Sequence, residues 1–509
     1  MTLPAWAAPL LDADRSRAAD RWAIDTCEIP SLELMEAASA GLAALVSEIA
    51  PDGEVVVVCG GGNNGGDGYA CARLLREAWR EVRVLTTSDP AALSGDAAVQ
   101  LERLPGERPR RFDPTALEGA SVIVDALLGT GFAGEPRGLV AEAIAAIAGC
   151  GVPVVACDVP SGVDAATGEI AGAAVRAVAT ATFHAPKPGL FVNPGKACSG
   201  AVRVVDIGIP EGAPGEAPDT GLIDDDALLA GLPQRGSGWT KFTSGHVLVA
   251  GGSRGLLGAA ILASEAAARA GAGYVTACLP QSQQPIAAAH LVEVMQLALP
   301  EDDGHHVAEG VRVVLAEAHR RGGAVVLGPG LGRSDGAAAF ARAAAAQAPV
   351  PLLLDADGLN AHAGLLDDLA ARPAPTVLTP HEGELGRLLG VPADEVRARR
   401  LHHAREAARR ANAVVVLKGD DTLVADPAGS VLVSPGATPA LATAGTGDVL
   451  GGVLAALLAR DIDPVRAAAA AVRLHARAGL AAAGRLGVDG VTARDVVEAL
   501  PQARGGGGR

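Results

Sequence analysis

Residues 54–58, Glu54-Val55-Val56-Val57-Val58, run through Cys59 into Gly60-Gly61-Gly62-Asn63-Asn64-Gly65-Gly66-Asp67-Gly68. Such a β-branched run reads as a buried strand, and the glycines behind it let the backbone turn closely into a helix. A second junction, Ala444-Gly445-Thr446-Gly447-Asp448, opens the helix-like run 449–460. Helix N-termini present free N–H groups and a favourable dipole, so both junctions suit phosphate-bearing ligands. Each also carries a carboxylate where loop meets helix. Two different loops of this kind imply two active sites for nucleotide-like substrates.

The 509 residues exceed one ordinary core, and strand-like and helix-like runs alternate through both halves. Strands are expected at 54–58, 82–85, 121–125, 153–157, 179–183 and 201–206, then at 246–250, 274–279, 324–327, 351–355, 376–378 and 413–417. Continuous apolar strands alternating with helices imply mostly parallel α/β sheets covered on both faces. The Pro/Gly/Glu stretch 209–218 reads as a linker. The expected division is a first domain at 1–212, a linker at 213–224 and a second domain at 225–503. The tail Gly505-Gly506-Gly507-Gly508 is expected to be disordered.

With a net charge of −16 the chain lacks the basic face that a general nucleic-acid binder needs. Cys27, Cys59, Cys71, Cys150, Cys157, Cys198 and Cys278 form no zinc spacing, and their number is odd, which fits reduced thiols in the cytoplasm. No signal peptide or membrane span is expected. Oligomeric state is left open, a homo-oligomer included.

In the first half, two more motifs end strands: Val124-Asp125-Ala126-Leu127-Leu128-Gly129-Thr130-Gly131 and Cys157-Asp158-Val159-Pro160-Ser161-Gly162. Strand ends of one parallel sheet converge, so Asn64, Asp125 and Ser161 can offer oxygen ligands to a hard cation. Taken singly these residues have plainer readings. Asp125 can cap a turn, Asp67 can cap its helix, Ser161 can be a turn residue and Lys187 can cover a sheet edge.

Together, over residues 10–208, these motifs resemble the NAD(P)H-hydrate epimerase family. The resemblance implies a Rossmann-like three-layer αβα domain that interconverts the R and S forms of hydrated NADH and NADPH (NADHX and NADPHX). It implies a potassium ion on Asn64, Asp125 and Ser161. Substrate contacts would come from Asn63, Asn64, Gly65, Gly66 and Asp67, from Gly129, Thr130, Gly131, Phe132, Ala133, Gly134 and Glu135, and from Asp158. The reacting hydroxyl sits on a carbon bonded to the ring nitrogen, so it can leave with lone-pair assistance and return to the other face. Asp158 is the candidate acid and base, with Lys187 a weaker one.

In the second half, backbone N–H groups of residues 444–447 can stabilise a transferring phosphoryl group while Asp448 takes a proton from the accepting hydroxyl. Lys418-Gly419-Asp420-Asp421-Thr422 follows a strand and suits nucleotide phosphates. The plainer readings are a capped helix start at residues 445–448, an exposed loop histidine at His381, and a surface pair of Lys418 with Asp420 or Asp421. Lys241-Phe242-Thr243-Ser244-Gly245-His246, Gly328-Pro329-Gly330-Leu331-Gly332, Asp355-Ala356-Asp357-Gly358-Leu359-Asn360 and Thr379-Pro380-His381-Glu382-Gly383-Glu384 complete the pattern. Over residues 225–500 it resembles the ADP-dependent NAD(P)H-hydrate dehydratase family, with a ribokinase-like αβα fold. The resemblance implies substrate contacts from Ala263, Gly332, His381 and Asp448. It implies nucleotide contacts from Lys418, Gly419, Asp420, Asp421, Thr422 and Gly447. ADP would be the co-substrate and magnesium its companion ion, with Glu382 and Glu384 given no firm role. Together the halves are expected to form a bifunctional repair enzyme. The rival reading is a ribokinase-like kinase for a vitamin precursor, fused to a non-catalytic binding module.

Overall fold

The computed structural model describes residues 3–213 and 217–504. The glycine tail and residues 214–216 of the expected linker lie outside the described residues. The chain forms two compact units, one of residues Pro9–Gly221 and one from Leu222 onward that also includes Leu3–Ala8. Among the described residues no helix is long and apolar enough to cross a membrane. The seven cysteines are free thiols.

The first unit is built on seven parallel strands in the order Arg110–Arg111, Val82–Thr86, Val55–Cys59, Val122–Ala126, Val154–Cys157, Ala179–Phe183 and Ala201–Val205. The strand Val55–Cys59 shows why the run of valines is needed. Val55 and Val57 pack on one face against Leu42, Tyr69 and Leu75. Val56 and Val58 pack on the other against Ile144 and Ile147. Period-two alternation thus places apolar side chains in both helical layers, each buried valine contributing about 1.5–3 kcal/mol. The chain turns back between Val55–Cys59 and its neighbour Val122–Ala126, whose following loops leave the sheet there.

The second unit holds an eleven-stranded sheet. Six strands run parallel in the order Val414–Leu417, Thr376–Leu378, Leu352–Leu354, Ala324–Leu327, His246–Ala250 and Tyr274–Pro280, followed by Met295–Leu299, also parallel. Beyond Val414–Leu417 the antiparallel strands Leu423–Ala425 and Val431–Val433 follow. Thr220–Ile223 and Ala7–Pro9 complete that edge. These last two differ from the expected division: residues 220–223 had been placed in the linker, and residues 7–9 in the first domain. Local sequence reports neither, because a strand three or four residues long gains its partner only from distant chain.

Candidate active sites

Where the first sheet turns back, a cavity of about 610 Å3 opens beyond the strand ends. Asn63, Asn64, Asp67, Asp158 and Lys187 line it, together with Gly129, Thr130, Gly131 and Phe132. Asp20 lines it too and carries no motif of its own. Asp158 follows strand Val154–Cys157 with a left-handed backbone (φ 65°), a conformation Asp tolerates better than most residues. That turn aims its carboxylate at three elements. Oδ1 accepts from Lys187 Nζ at 2.7 Å and Thr182 Oγ1 at 3.3 Å. Oδ2 accepts from the Thr130 amide at 2.9 Å and from its hydroxyl. Burial pushes the carboxyl up, but Lys187 and the Thr130 donors outweigh it and hold Asp158 below the ordinary range.

Lys187 is buried, 2% exposed, and also donates to Thr182 Oγ1 and the Phe183 carbonyl, each at 2.9 Å. It covers no sheet edge. Asp67 stands inside helix Asn63–Glu77, whose cap is Gly62, so it does not cap that helix. Burial, then the charges of Asp158, Asp20 and Asp96, push its carboxyl well above the usual range and favour the neutral acid. Asp20 is raised as well, chiefly by burial, with Lys187 opposing.

Beneath the cavity, Asp125 is fully buried. Its Oδ2 accepts from the Ser161 amide at 2.8 Å, and its Oδ1 from the Ser161 hydroxyl at 2.6 Å and the Leu127 amide at 3.3 Å. The Leu128 amide donates to Ser161 Oγ at 2.9 Å. Burial pushes Asp125 up to about 6, with Ser161 opposing. Asn64 approaches so closely that a Cβ on Gly129 would lie 2.9 Å from its Oδ1. Asn64 Nδ2 is buried without a partner. Asn64, Asp125 and Ser161 therefore gather around the turn at residues 127–129.

Other expected contacts are not brought into this cavity. A Cβ on Gly65 would sit 2.1 Å from the Gly60 carbonyl oxygen, and one on Gly66 would meet Ala97 and Met35 at 3.0 Å. Both glycines serve close packing of the loop. Ala133, Gly134 and Glu135 stand outside the lining, and the Glu135 Cγ instead approaches Gly172.

In the second unit four neighbouring parallel strands deliver the motifs to one rim. Gly332 follows Ala324–Leu327, Asp355 follows Leu352–Leu354, His381 follows Thr376–Leu378 and Lys418 follows Val414–Leu417. Lys418 Nζ donates to Asp355 Oδ1 at 3.0 Å and lies 3.6 Å from Glu384 Oε2. The partner of Lys418 is thus Asp355, a residue the sequence reading gave no role. A Cβ on Gly447 would lie 3.7 Å from the same Nζ, which brings the start of helix Thr446–Leu458 to this lysine. Burial, then Asp355, push Asp448 up to about 7, with Lys418 opposing.

His381 is the N-cap of helix Glu382–Leu389. Its Nδ1 accepts from the amides of Gly383 at 2.9 Å and Glu384 at 3.3 Å, and Glu384 Oε2 accepts from the His381 amide at 2.8 Å. An accepting Nδ1 leaves the proton on Nε2, and burial first holds the ring below its ordinary value. The Gly332 amide donates to Asp357 Oδ2 at 3.0 Å.

The remaining expected residues play different parts. Asp421 is 1% exposed and lies 3.0 Å from the buried Arg400, which also pairs with Glu382 at 2.7 Å. Thr422 Oγ1 donates to the Gly419 carbonyl at 2.6 Å, closing the loop that contains Asp420. Ala263 is fully buried, its carbonyl 2.2 Å from where a Cβ on Gly452 would stand, so it belongs to a helix–helix contact.

Comparison with known proteins matches both units. Residues 31–189 fit the family described as YjeF-related protein N-terminus, and residues 247–502 fit the NAD(P)H-hydrate dehydratase family. A bifunctional NAD(P)H-hydrate repair enzyme Nnr from Salinibacter ruber is 40% identical, over 97% of this chain and 96% of that protein. Its namesake from Moorella thermoacetica is 38% identical, over 95% and 94%. Among solved structures, an ADP/ATP-dependent NAD(P)H-hydrate dehydratase from Bacillus subtilis, co-crystallised with ATP and Mg2+, aligns with a TM-score of 0.46 and 29% identity, over 55% of this chain and 95% of that one. With both units matched in order and nearly the whole length of these relatives covered, the chain belongs to the family of bifunctional NAD(P)H-hydrate repair enzymes.

Proposed function

We propose that the first unit epimerises hydrated NADH and NADPH at the Asp158–Lys187 cavity. The second unit dehydrates the S form at the rim formed by Asp448, Lys418, Asp355 and His381. The observation that carries this reading is that each unit sets one carboxylate near one lysine where strand ends converge.

In the first unit the ring nitrogen's lone pair expels the protonated hydroxyl, and water re-adds to the opposite face. Asp158, held ionised, is the proton acceptor for the returning water. The proton given to the leaving hydroxyl comes from the same wall, where Asp67 is pushed toward its neutral form and Lys187 touches Asp158. This divides between residues the two duties first given to Asp158 alone.

The set of Asn64, Asp125 and Ser161 fits a potassium ion: its donors are oxygens, one carboxylate is buried, and the unpartnered Asn64 amide can turn its oxygen inward. When bound, potassium would offset the charge of Asp125 and fix the turn at residues 127–129.

In the second unit Asp448 takes the proton of the ring hydroxyl as its oxygen attacks the terminal phosphorus of ADP. The phosphoanhydride bond breaks and AMP leaves. Phosphate then departs together with the proton on the adjacent ring carbon, giving NAD(P)H. Lys418 and the N–H groups at the start of helix Thr446–Leu458 receive the charge of the transferring group. Asp355 and Glu384 would hold a magnesium ion accompanying the nucleotide, which would neutralise phosphate charge.

The test supplies purified protein with mixed R and S hydrate, ADP or ATP, magnesium and potassium, and follows return of reduced-nicotinamide absorbance. Complete conversion of both epimers is expected. No recovery with either nucleotide refutes the reading.

A further inference from the structure

Helix Arg400–Ala411 carries a cluster with no part in either site above: His402, His403 and Glu406. His403 is 2% exposed, and neither of its ring nitrogens has a hydrogen-bond partner. Leaving a buried polar group unsatisfied is unfavourable, so an imidazole in this position invites a ligand.

The surrounding atoms indicate which kind. Glu406 Oε2 lies 3.6 Å from His403 Nδ1 and 3.8 Å from His402 Nε2. One ligand atom from each of the three residues falls within 4.8 Å of the others. These separations are too long for good hydrogen bonds. The two Glu406 distances do lie near the edges of a coordination polyhedron, since donors at about 2.1 Å on a tetrahedral zinc stand about 3.4 Å apart. The two imidazoles meet edge to face, their centroids 4.9 Å apart.

Two neighbours complete the arrangement. Glu395 Oε1 stands 3.6 Å from His403 Nε2, behind the ring, where metal-binding histidines commonly have a carboxylate. Arg410 approaches Glu406 through the other oxygen, Oε1, at 3.6 Å, leaving Oε2 to the histidines.

We propose that His402 Nε2, His403 Nδ1 and Glu406 Oε2 bind one divalent cation of the zinc class, with water filling the remaining position. Two imidazoles and one carboxylate favour such ions over magnesium, which prefers oxygen ligands throughout.

The test is calorimetric titration of the untagged, chelator-stripped full chain with zinc chloride, in buffer containing magnesium to occupy oxygen-rich sites. Wild-type protein should bind one equivalent at this site. His402→Ala and Glu406→Gln should each weaken that binding by at least about 100-fold. These side chains are 48% and 31% exposed, so both variants should keep the wild-type fold and Tm. Cobalt in place of zinc should give visible ligand-field bands in the wild type that His402→Ala removes. Absence of zinc binding to the wild type, or equal zinc affinity in wild type and both variants, would overturn the proposal.

Discussion

At Asp158, the charge of Lys187 and the Thr130 donors overcome burial and keep the carboxyl ionised. At Asp448, burial and the nearby Asp355 carboxylate overcome Lys418 and bring the carboxyl up to about 7. In the proposed mechanism the first residue is therefore a standing acceptor, and the second is a base poised near neutrality. With Asp448 as the proposed base, dehydration needs it deprotonated, so kcat/KM for the S hydrate should fall as pH drops below about 7. Lys418→Met removes the charge that lowers Asp448 and should move this acidic limb upward by about one pH unit. A limb that stays in place would show that another group titrates. Asp158→Asn should slow R-to-S exchange at least about 100-fold, measured by chromatography of the epimers, with turnover of the S form unchanged. An equal loss of both activities would contradict the division of labour.

At the scale of elements, the loop between strand Val55–Cys59 and helix Asn63–Glu77 is set by contact distances rather than by glycine content. Gly65→Ala would drive a methyl group to 2.1 Å from the Gly60 carbonyl oxygen, a contact no side chain can relieve. Gly62→Ala would meet nothing within 4 Å. Gly65→Ala should thus lose about 1–3 kcal/mol of stability in thermal unfolding, while Gly62→Ala stays close to wild type. The same contrast explains what the sequence could disclose. The strand ends bearing Asn64, Asp125, Asp158, His381 and Lys418 were legible because each motif is contiguous with its strand. The pairings between them were not, although Lys187 had been named as a weaker acid/base candidate. Lys187 reaches Asp158 because strand Ala179–Phe183 lies beside Val154–Cys157, and strand order is not written locally. Asp20 comes from helix Ala13–Asp25, far from every motif, and only the cavity reveals it.

At the scale of the whole molecule, the buried Asp125 links stability to pH and, through the proposed potassium site, to cations. Its carboxyl is raised to about 6 from a usual 3.8, so the folded state binds the proton more tightly. Its contribution is greatest below the usual value and is lost as pH rises through about 6. A cation bound to the ionised carboxylate should recover part of that loss. Potassium chloride, compared with choline chloride at equal ionic strength, should stabilise the first unit at pH above 6 by about 1.4 kcal/mol at ten times Kd, read as a higher Tm. The effect should shrink in acid and vanish in Asp125→Asn; equal Tm values in the two salts would argue against the ion. If each unit holds its own reacting groups, as proposed, Asp158→Asn and Asp448→Asn proteins mixed together should convert both epimers fully. Failure of the mixture would mean that the intermediate does not pass between molecules.

The pairing of Ala7–Pro9 beside Thr220–Ile223 gives the chain an unexpected grammar. The epimerase unit is a parenthesis: it opens at the end of the first strand of the dehydratase sheet and closes inside the second. A ribosome releases that opening strand long before residues 414–433, with which its sheet is completed, have been made. Trimming the first eight residues as a dispensable leader would therefore remove part of the unit encoded at the other end of the chain.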